Sequence, residues 1–103
     1  MTFDDFREKL LAAASAFKKE DDQATKVNPM EAFKNVGALA GRCATAEGLS
    51  TDRRHWDISG KCPVINAIMT VAYFRNHSWC VEAVNRAWLA VSALQGEKAR
   101  LAA

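Results

Sequence analysis

The chain has no apolar run long enough to cross a bilayer, no large surplus of charge of either sign, and no pair of cysteines at metal-binding spacing. A spanning helix needs roughly 20 consecutive apolar residues. The apolar core of residues 62–74 falls well short of that, and the later stripe from Trp79 to Leu94 is interrupted by Glu82, Asn85 and Arg86, so no membrane span is expected. Fourteen Lys and Arg against twelve Asp and Glu give a formal charge of +2, too little for the basic field of a strong nucleic-acid binder.

The three cysteines, Cys43, Cys62 and Cys80, leave one thiol over in any intramolecular pairing. The first residues, Met-Thr-Phe-Asp-Asp-Phe, are acidic where a secretory leader has a basic stretch followed by an apolar one. Together these predict a reducing, cytoplasmic setting. Cys43, His55, Cys62, His77 and Cys80 are residue types that zinc accepts. Their spacing speaks against a metal: only His77 and Cys80 lie close enough to form half of a familiar pair, and Cys43 and Cys80 fall on apolar seams where a free thiol behaves as a small hydrophobe. No metal and no cofactor are expected.

Catalytic signatures are equally sparse. His77 and Cys80, one turn apart at the start of a predicted helix, are the one sequence-local pairing of a base with a nucleophile, and no third orienting group or oxyanion motif accompanies them. The adjacent acids Asp4-Asp5 and Asp21-Asp22 read as capping and solvation. The chain is therefore expected to be no enzyme.

What the sequence does have is a globular balance, half hydrophobic and a quarter charged, sufficient for one all-α domain over residues 1–103 that buries roughly 60 to 68% of its unfolded surface. Residues 63–75, Pro-Val-Ile-Asn-Ala-Ile-Met-Thr-Val-Ala-Tyr-Phe-Arg, carry their few polar members at helical spacing and predict a central third helix buried nearly all round. Three amphipathic helices wrap it in a compact, four-helix bundle-like arrangement.

Helix 1 starts at Thr2 with Asp5 as its capping partner, and Phe3, Phe6, Leu10, Ala13 and Phe17 form one seam. Residues 18–26 lack an apolar period and read as the first connection. Asn28-Pro29-Met30-Glu31 places an N-cap, a first-turn proline and a third-position acid in the favoured order to open helix 2. Its seam reads Phe33, Val36, Ala40 and Cys43, and Gly48 with Leu49 closes it in a Schellman cap. Gly37 and Gly41 each cost about 1 kcal/mol of helix propensity, which predicts close approach of another helix backbone. Residues 49–62 form the longest irregular stretch, with a single turn capped by Ser50 or Thr51. Ser78 is expected to cap helix 4, whose seam reads Val81, Val84, Trp88, Val91 and Leu94 or Gln95, with Gly96 ending or bending it.

The functional reading rests on the 49–62 loop. Arg53, Arg54, His55 and Trp56 combine the residue types most enriched among interface hot spots, on a segment with no helical seam to fill, and Trp79 stands off the seam of helix 4. These five are the predicted partner-binding residues. The expected function is a non-enzymatic protein-binding module, such as a small inhibitor of the phage or mobile-element type that sterically occludes a host complex, anti-CRISPR-like, with Glu20, Asp21 and Asp22 engaging a basic groove. Two alternatives are a nucleic-acid-binding or regulatory module using the Arg53–Trp56 loop, in which an arginine beside an indole holds phosphate and stacks on a base, and a small homodimeric structural protein. The partner is expected to be a protein, with nucleic acid a weak second, no membrane, and the chain a monomer or homodimer.

Overall fold

The structure, a computed structural model, describes the backbone of residues 1–102 and the side chains of residues 1–93. Those residues form four α-helices and no strand: α1 (Phe3–Val27), α2 (Pro29–Ala46), α3 (Pro63–Phe74) and α4 (Ser78–Ala102), with a 3-10 turn at Arg53–His55 between α2 and α3. The domain is the small four-helix all-α fold that the periodicity predicts.

The caps follow from the side chains. Thr2 Oγ1 accepts from the Asp5 amide at 3.2 Å while the Asp5 carboxylate accepts from the Thr2 amide at 3.4 Å, the reciprocal box that satisfies two otherwise orphaned donors. Asn28 serves two helices at once. Its amide donates to the Ala24 carbonyl at the end of α1, and its side chain accepts from the Glu31 amide at 3.2 Å to open α2, with Pro29 in the first turn. α2 closes as predicted: Gly48 sits at φ +75°, its amide donates to Thr45 and the Leu49 amide donates to Ala44 at 2.9 Å, with Leu49 buried beneath. The left-handed conformation is what requires glycine there.

The core runs along α1 and α3. Phe6, Leu10, Phe17, Val64 and Ile68 are fully buried, and α1 and α3 each pack against the other three helices. Ala13, Ala40, Ala44, Ala67 and Ala87 are also fully buried. Such small side chains let the helix axes approach. Trp88 lies at the edge of the core against Phe3 and Phe6, with ring centroids 5.9 and 5.4 Å away.

The structure departs from the periodicity at several points. α1 does not stop at Phe17 but continues through the polar stretch to Val27. Lys18 and Asp22 pair at 2.7 Å one turn apart, and Asp21, only 9% exposed, accepts a hydrogen bond from the Tyr73 hydroxyl of α3. An inward-facing acid takes the place of an apolar residue, which hides the seam. α3 is central but not buried all round: Val64, Ala67, Ile68 and Val71 are inside, whereas Tyr73 and Phe74 remain exposed. On α4, Val81 is exposed and the seam consists of Cys80, Ala83, Val84, Ala87 and Val91. α4 begins at Ser78 itself and continues through Gly96 to Ala102; the expected placement of Leu94 and Gln95 on the seam lies outside the described side chains. On α2, Phe33 is exposed and Ala32, Leu39, Ala40, Cys43 and Ala44 are buried.

The exposure of Phe33 follows from element length. At 1.5 Å per residue the 25-residue α1 spans about 37 Å and the 12-residue α3 only about 18 Å. The α1–α2 hairpin therefore outruns the helix that covers it, and residues 23–31 are exposed without exception. Gly41 sits under α3, with the Ile65 side chain 3.9 Å from where a Cβ would stand, whereas nothing among the described residues lies within 4 Å of that point at Gly37. A contact of 3.9 Å with a side chain is ordinary packing, so the expected close approach of another helix backbone is found at neither Gly41 nor Gly37.

Candidate partner-binding surface

The 49–62 segment is an ordered loop with one face turned in and one turned out. The Asp52 side chain, and not Ser50 or Thr51, caps the 3-10 turn by accepting from the Arg54 amide at 2.9 Å, while Ser50 accepts from the Asp52 amide. Asp52 also grips the Arg54 guanidinium, at 3.1 Å to Nε and 2.7 Å to Nη2. That pairing holds the Asp52 carboxyl well below the usual carboxylate range and raises Arg54. His55 is buried and belongs to the inner face. Trp56 is half-buried against the core, and its indole N–H donates to the Thr51 carbonyl at 3.0 Å. The Arg53 guanidinium lies over the indole, 5.3 Å from the ring centroid, which occupies that face of the ring.

A second tight turn follows. Asp57 accepts from the Ser59 amide, the Ser59 hydroxyl and the Lys61 amide at 2.9, 2.6 and 3.0 Å, and these hydrogen bonds, Ser59 first, lower its carboxyl pKa. Gly60 supplies the φ of +80° the turn needs. The result is a clamped tip that holds Ile58 fully in solvent.

Between this loop and α4 lies an open cleft of about 850 Å³. Arg54, Trp56, Lys61 and Pro63 line one side, and Ala83, Arg86, Leu89, Ala90 and Ala93 the other. The α4 wall is low because three of its members are alanines, and Leu89 stands 65% exposed within it. Arg86 pairs with Glu82 at 2.6 Å, and both side chains are exposed.

Trp79 is not on the loop, but it is in line with the cleft. It precedes Arg86 by seven residues, two turns, and so shares its face of α4 about 10 Å further along the axis. It is 58% exposed within an aromatic corner formed where α3 turns into α4. The His77 ring stacks on Trp79 at 5.4 Å, and Phe74 meets both rings edge-on at 5.8 and 5.7 Å. The rings pack on one another. In the sequence Phe74 belongs to helix 3 and His77 reads only as a metal-type residue or a base for Cys80; Phe74-x-x-His-x-Trp is a local aromatic cluster visible once the break between the helices is a tight turn.

The nucleophile pairing dissolves. The Cys80 thiol is buried and donates to the Phe74 carbonyl, while the His77 ring is engaged with Trp79 and Phe74. Cys43 and Cys62 are likewise buried and free, and burial pushes the Cys43 thiol up. Among the described residues no three His, Cys, Asp or Glu side chains gather as a metal site would require, and no helix is long and apolar enough to cross a membrane. Of the acidic run, Asp21 faces inward and Asp22 pairs with Lys18, while Glu20 is exposed.

No family model, no curated protein and no solved structure matches this chain.

Proposed function

We propose that this chain is a non-enzymatic protein-binding module that receives a segment of its partner in the cleft between the 53–63 loop and α4, with Trp79 and Phe74 extending the contact along the same helix face. The observation that carries the reading is the alignment of a large exposed leucine, a low alanine wall and an exposed tryptophan along one face of α4 beside an ordered loop. A groove floored by small residues admits a helix or extended strand closely, and a buried aromatic or aliphatic anchor supplies most of the energy. Arg54, Lys61 and Arg86 on the rim contribute orientation more than affinity.

Several features weigh against direct nucleic-acid binding by the loop: Arg54 is already paired with Asp52, and Trp56 carries Arg53 on its ring. A steric inhibitor of a host complex, of the phage or mobile-element kind, is one form such a module takes. It would act by filling a partner's working surface more than by imitating nucleic acid, because two of the three acids in the run, Asp21 and Asp22, are internally engaged. The cytoplasm is the compartment that suits three free, buried thiols.

The test compares the parent with Leu89→Asp and Trp79→Ala as baits against nuclease-treated lysate of the source cell at moderate salt. A stoichiometric protein held by the parent and lost from Leu89→Asp, with helical circular dichroism unchanged, is the expected result. Retention of the same protein by both variants, or of none by the parent, overturns the assignment.

A further inference from the structure

The loop–α4 cleft uses one side of α4. On the other side α4 and α1 both pack on α3 but meet each other only lightly, and a hollow of about 320 Å³ opens between them over the C-terminal end of α3. Val71, Cys80 and Val84 form its buried floor, and Phe3, Leu11 and Val81 its apolar walls. The charged side chains that line it are both cations, Arg7 of α1 and Arg75 at the end of α3. Both are exposed, and among the described residues neither guanidinium makes an ion pair or a hydrogen bond. Arg54 and Arg86 at the cleft are each held by an acid; these two are not.

We infer that this hollow is a site for a small anionic amphiphile, a carboxylate on a short hydrocarbon chain, whose head lies between Arg7 and Arg75 and whose tail covers Phe3, Leu11 and Val71. The planar fork of a guanidinium matches a carboxylate, and the apolar floor beside it takes the chain. The surrounding charges select the size of the occupant. Asp4 and Glu8 precede Arg7 and Leu11 by three residues, so they share that face of α1 and border the hollow without lining it. Asp22 already holds Lys18 further along the same helix. The positive field is therefore local. It suits one anionic head, whereas a partner's run of acids laid along α1 would meet Asp4 and Glu8 at the border.

The volume agrees with a small occupant. Small-molecule pockets begin near about 300 Å³, so the hollow stands at the low end of that range and has room for a single short chain. It is open on one side, and affinity is correspondingly modest. At the per-atom efficiency usual for ligands, decanoate is expected to bind with a dissociation constant of about 1 mM. Each methylene taken out of water tightens binding by up to about fourfold, so chain length separates apolar seating from a purely ionic contact.

Hexanoate, octanoate and decanoate, each below micelle formation, are titrated into the isotopically labelled chain to about 10 mM. Amide shifts are the readout, and decyltrimethylammonium presents the same tail under the opposite charge. The expected result is saturable shifts centred on Leu11, Val71 and Val84, with decanoate at least about tenfold tighter than hexanoate. The double variant Arg7→Gln with Arg75→Gln should bind decanoate at least about fivefold more weakly. Both positions are exposed, and unchanged helical circular dichroism is the control that it folds. Decanoate that leaves those three amides unmoved overturns the inference. So does equal binding of the ammonium amphiphile, or undiminished binding by the double variant, either of which would reduce the hollow to a general apolar surface. Shifts confined to the loop–α4 cleft would place the amphiphile there and overturn it too. A lysate protein lost from the double variant, with the three amides unmoved by decanoate, would assign the face to a protein instead. The hollow and the cleft share no lining residue, so Leu89→Asp bears on the cleft alone.

Discussion

Removing one hydroxyl at Tyr73 tests the least expected feature of the fold, the inward-facing acid of α1. The Tyr73 hydroxyl donates to Asp21, which is 9% exposed, and lies 3.2 Å from an Asp22 oxygen. Tyr73→Phe keeps the ring in its edge-on contact with Phe17 and under Lys18 and removes only the donor. A hydrogen bond to a charged group contributes about 1.5 to 3 kcal/mol. Tyr73 is itself 44% exposed, so water can replace the donor in part, and the lower end of that range, about 1.5 kcal/mol, is expected. For a domain of this size that corresponds to a fall in Tm of roughly 6 to 12 °C, read by circular dichroism and checked by urea titration. A double-mutant cycle with Asp21→Leu should recover a coupling of about 1 kcal/mol or more. Burial and the two acids raise the Tyr73 pKa above its ordinary value of 10. The unfolded chain therefore releases this proton near pH 10 while the folded chain retains it, and stability falls as pH rises through that window. Tyr73 is the one tyrosine in the sequence, so its ultraviolet titration is a single-residue signal, and Tyr73→Phe should lose less stability than the parent above pH 10. A Tyr73→Phe protein within 0.5 kcal/mol of the parent, together with an ordinary phenol titration, would refute the reasoning.

Two glycines should respond to the same substitution with opposite sign. Gly48→Ala forces a side chain into φ +75° and should destabilise by about 1 to 2 kcal/mol, whereas Gly37→Ala should stabilise by up to about 1 kcal/mol; equal shifts in denaturant midpoint would contradict both assignments. The three thiols, each 7% exposed, should react with an alkylating reagent at neutral pH at least about tenfold more slowly in the native protein than in guanidinium. Rapid native labelling of Cys80, located by peptide mass, would reopen the pairing with His77.

The parts of the fold legible in the sequence were those written in local chemistry. Thr2 with Asp5, Asn28 with Pro29, and Gly48 with Leu49 marked helix ends because their side chains or backbone freedom satisfy the ends of a helix directly. Seams were legible where bulky residues carry them, as along Phe6, Leu10 and Phe17. They were misread where small residues do: α2 and α4 bury Ala32, Ala44, Cys80, Ala83 and Ala87 and leave Phe33 and Val81 outside, because close helix contact selects small volume over hydrophobicity. The polar half of α1 was misread for a related reason, its inward residue being Asp21, whose partner lies 52 positions away. At the candidate surface the sequence indicated Arg53, Arg54, Trp56 and Trp79 as unusual, but a linear reading had no means of showing that His55 turns inward, that Asp52 claims Arg54, or that Trp79 lies in line with Arg86.

The long helices α1 and α4, 25 residues each, also bear on how the molecule moves through water. The molecule's extents of 51 by 25 by 24 Å describe a particle about twice as long as it is wide, and such a shape meets more drag than a sphere of equal mass. A chain of 11.3 kDa built this way leaves a gel-filtration column early and tumbles anisotropically. Its elution volume imitates that of a larger sphere even when one copy is present, which is why mass has to be read from sedimentation or light scattering, and its diffusion coefficient reports length before it reports association.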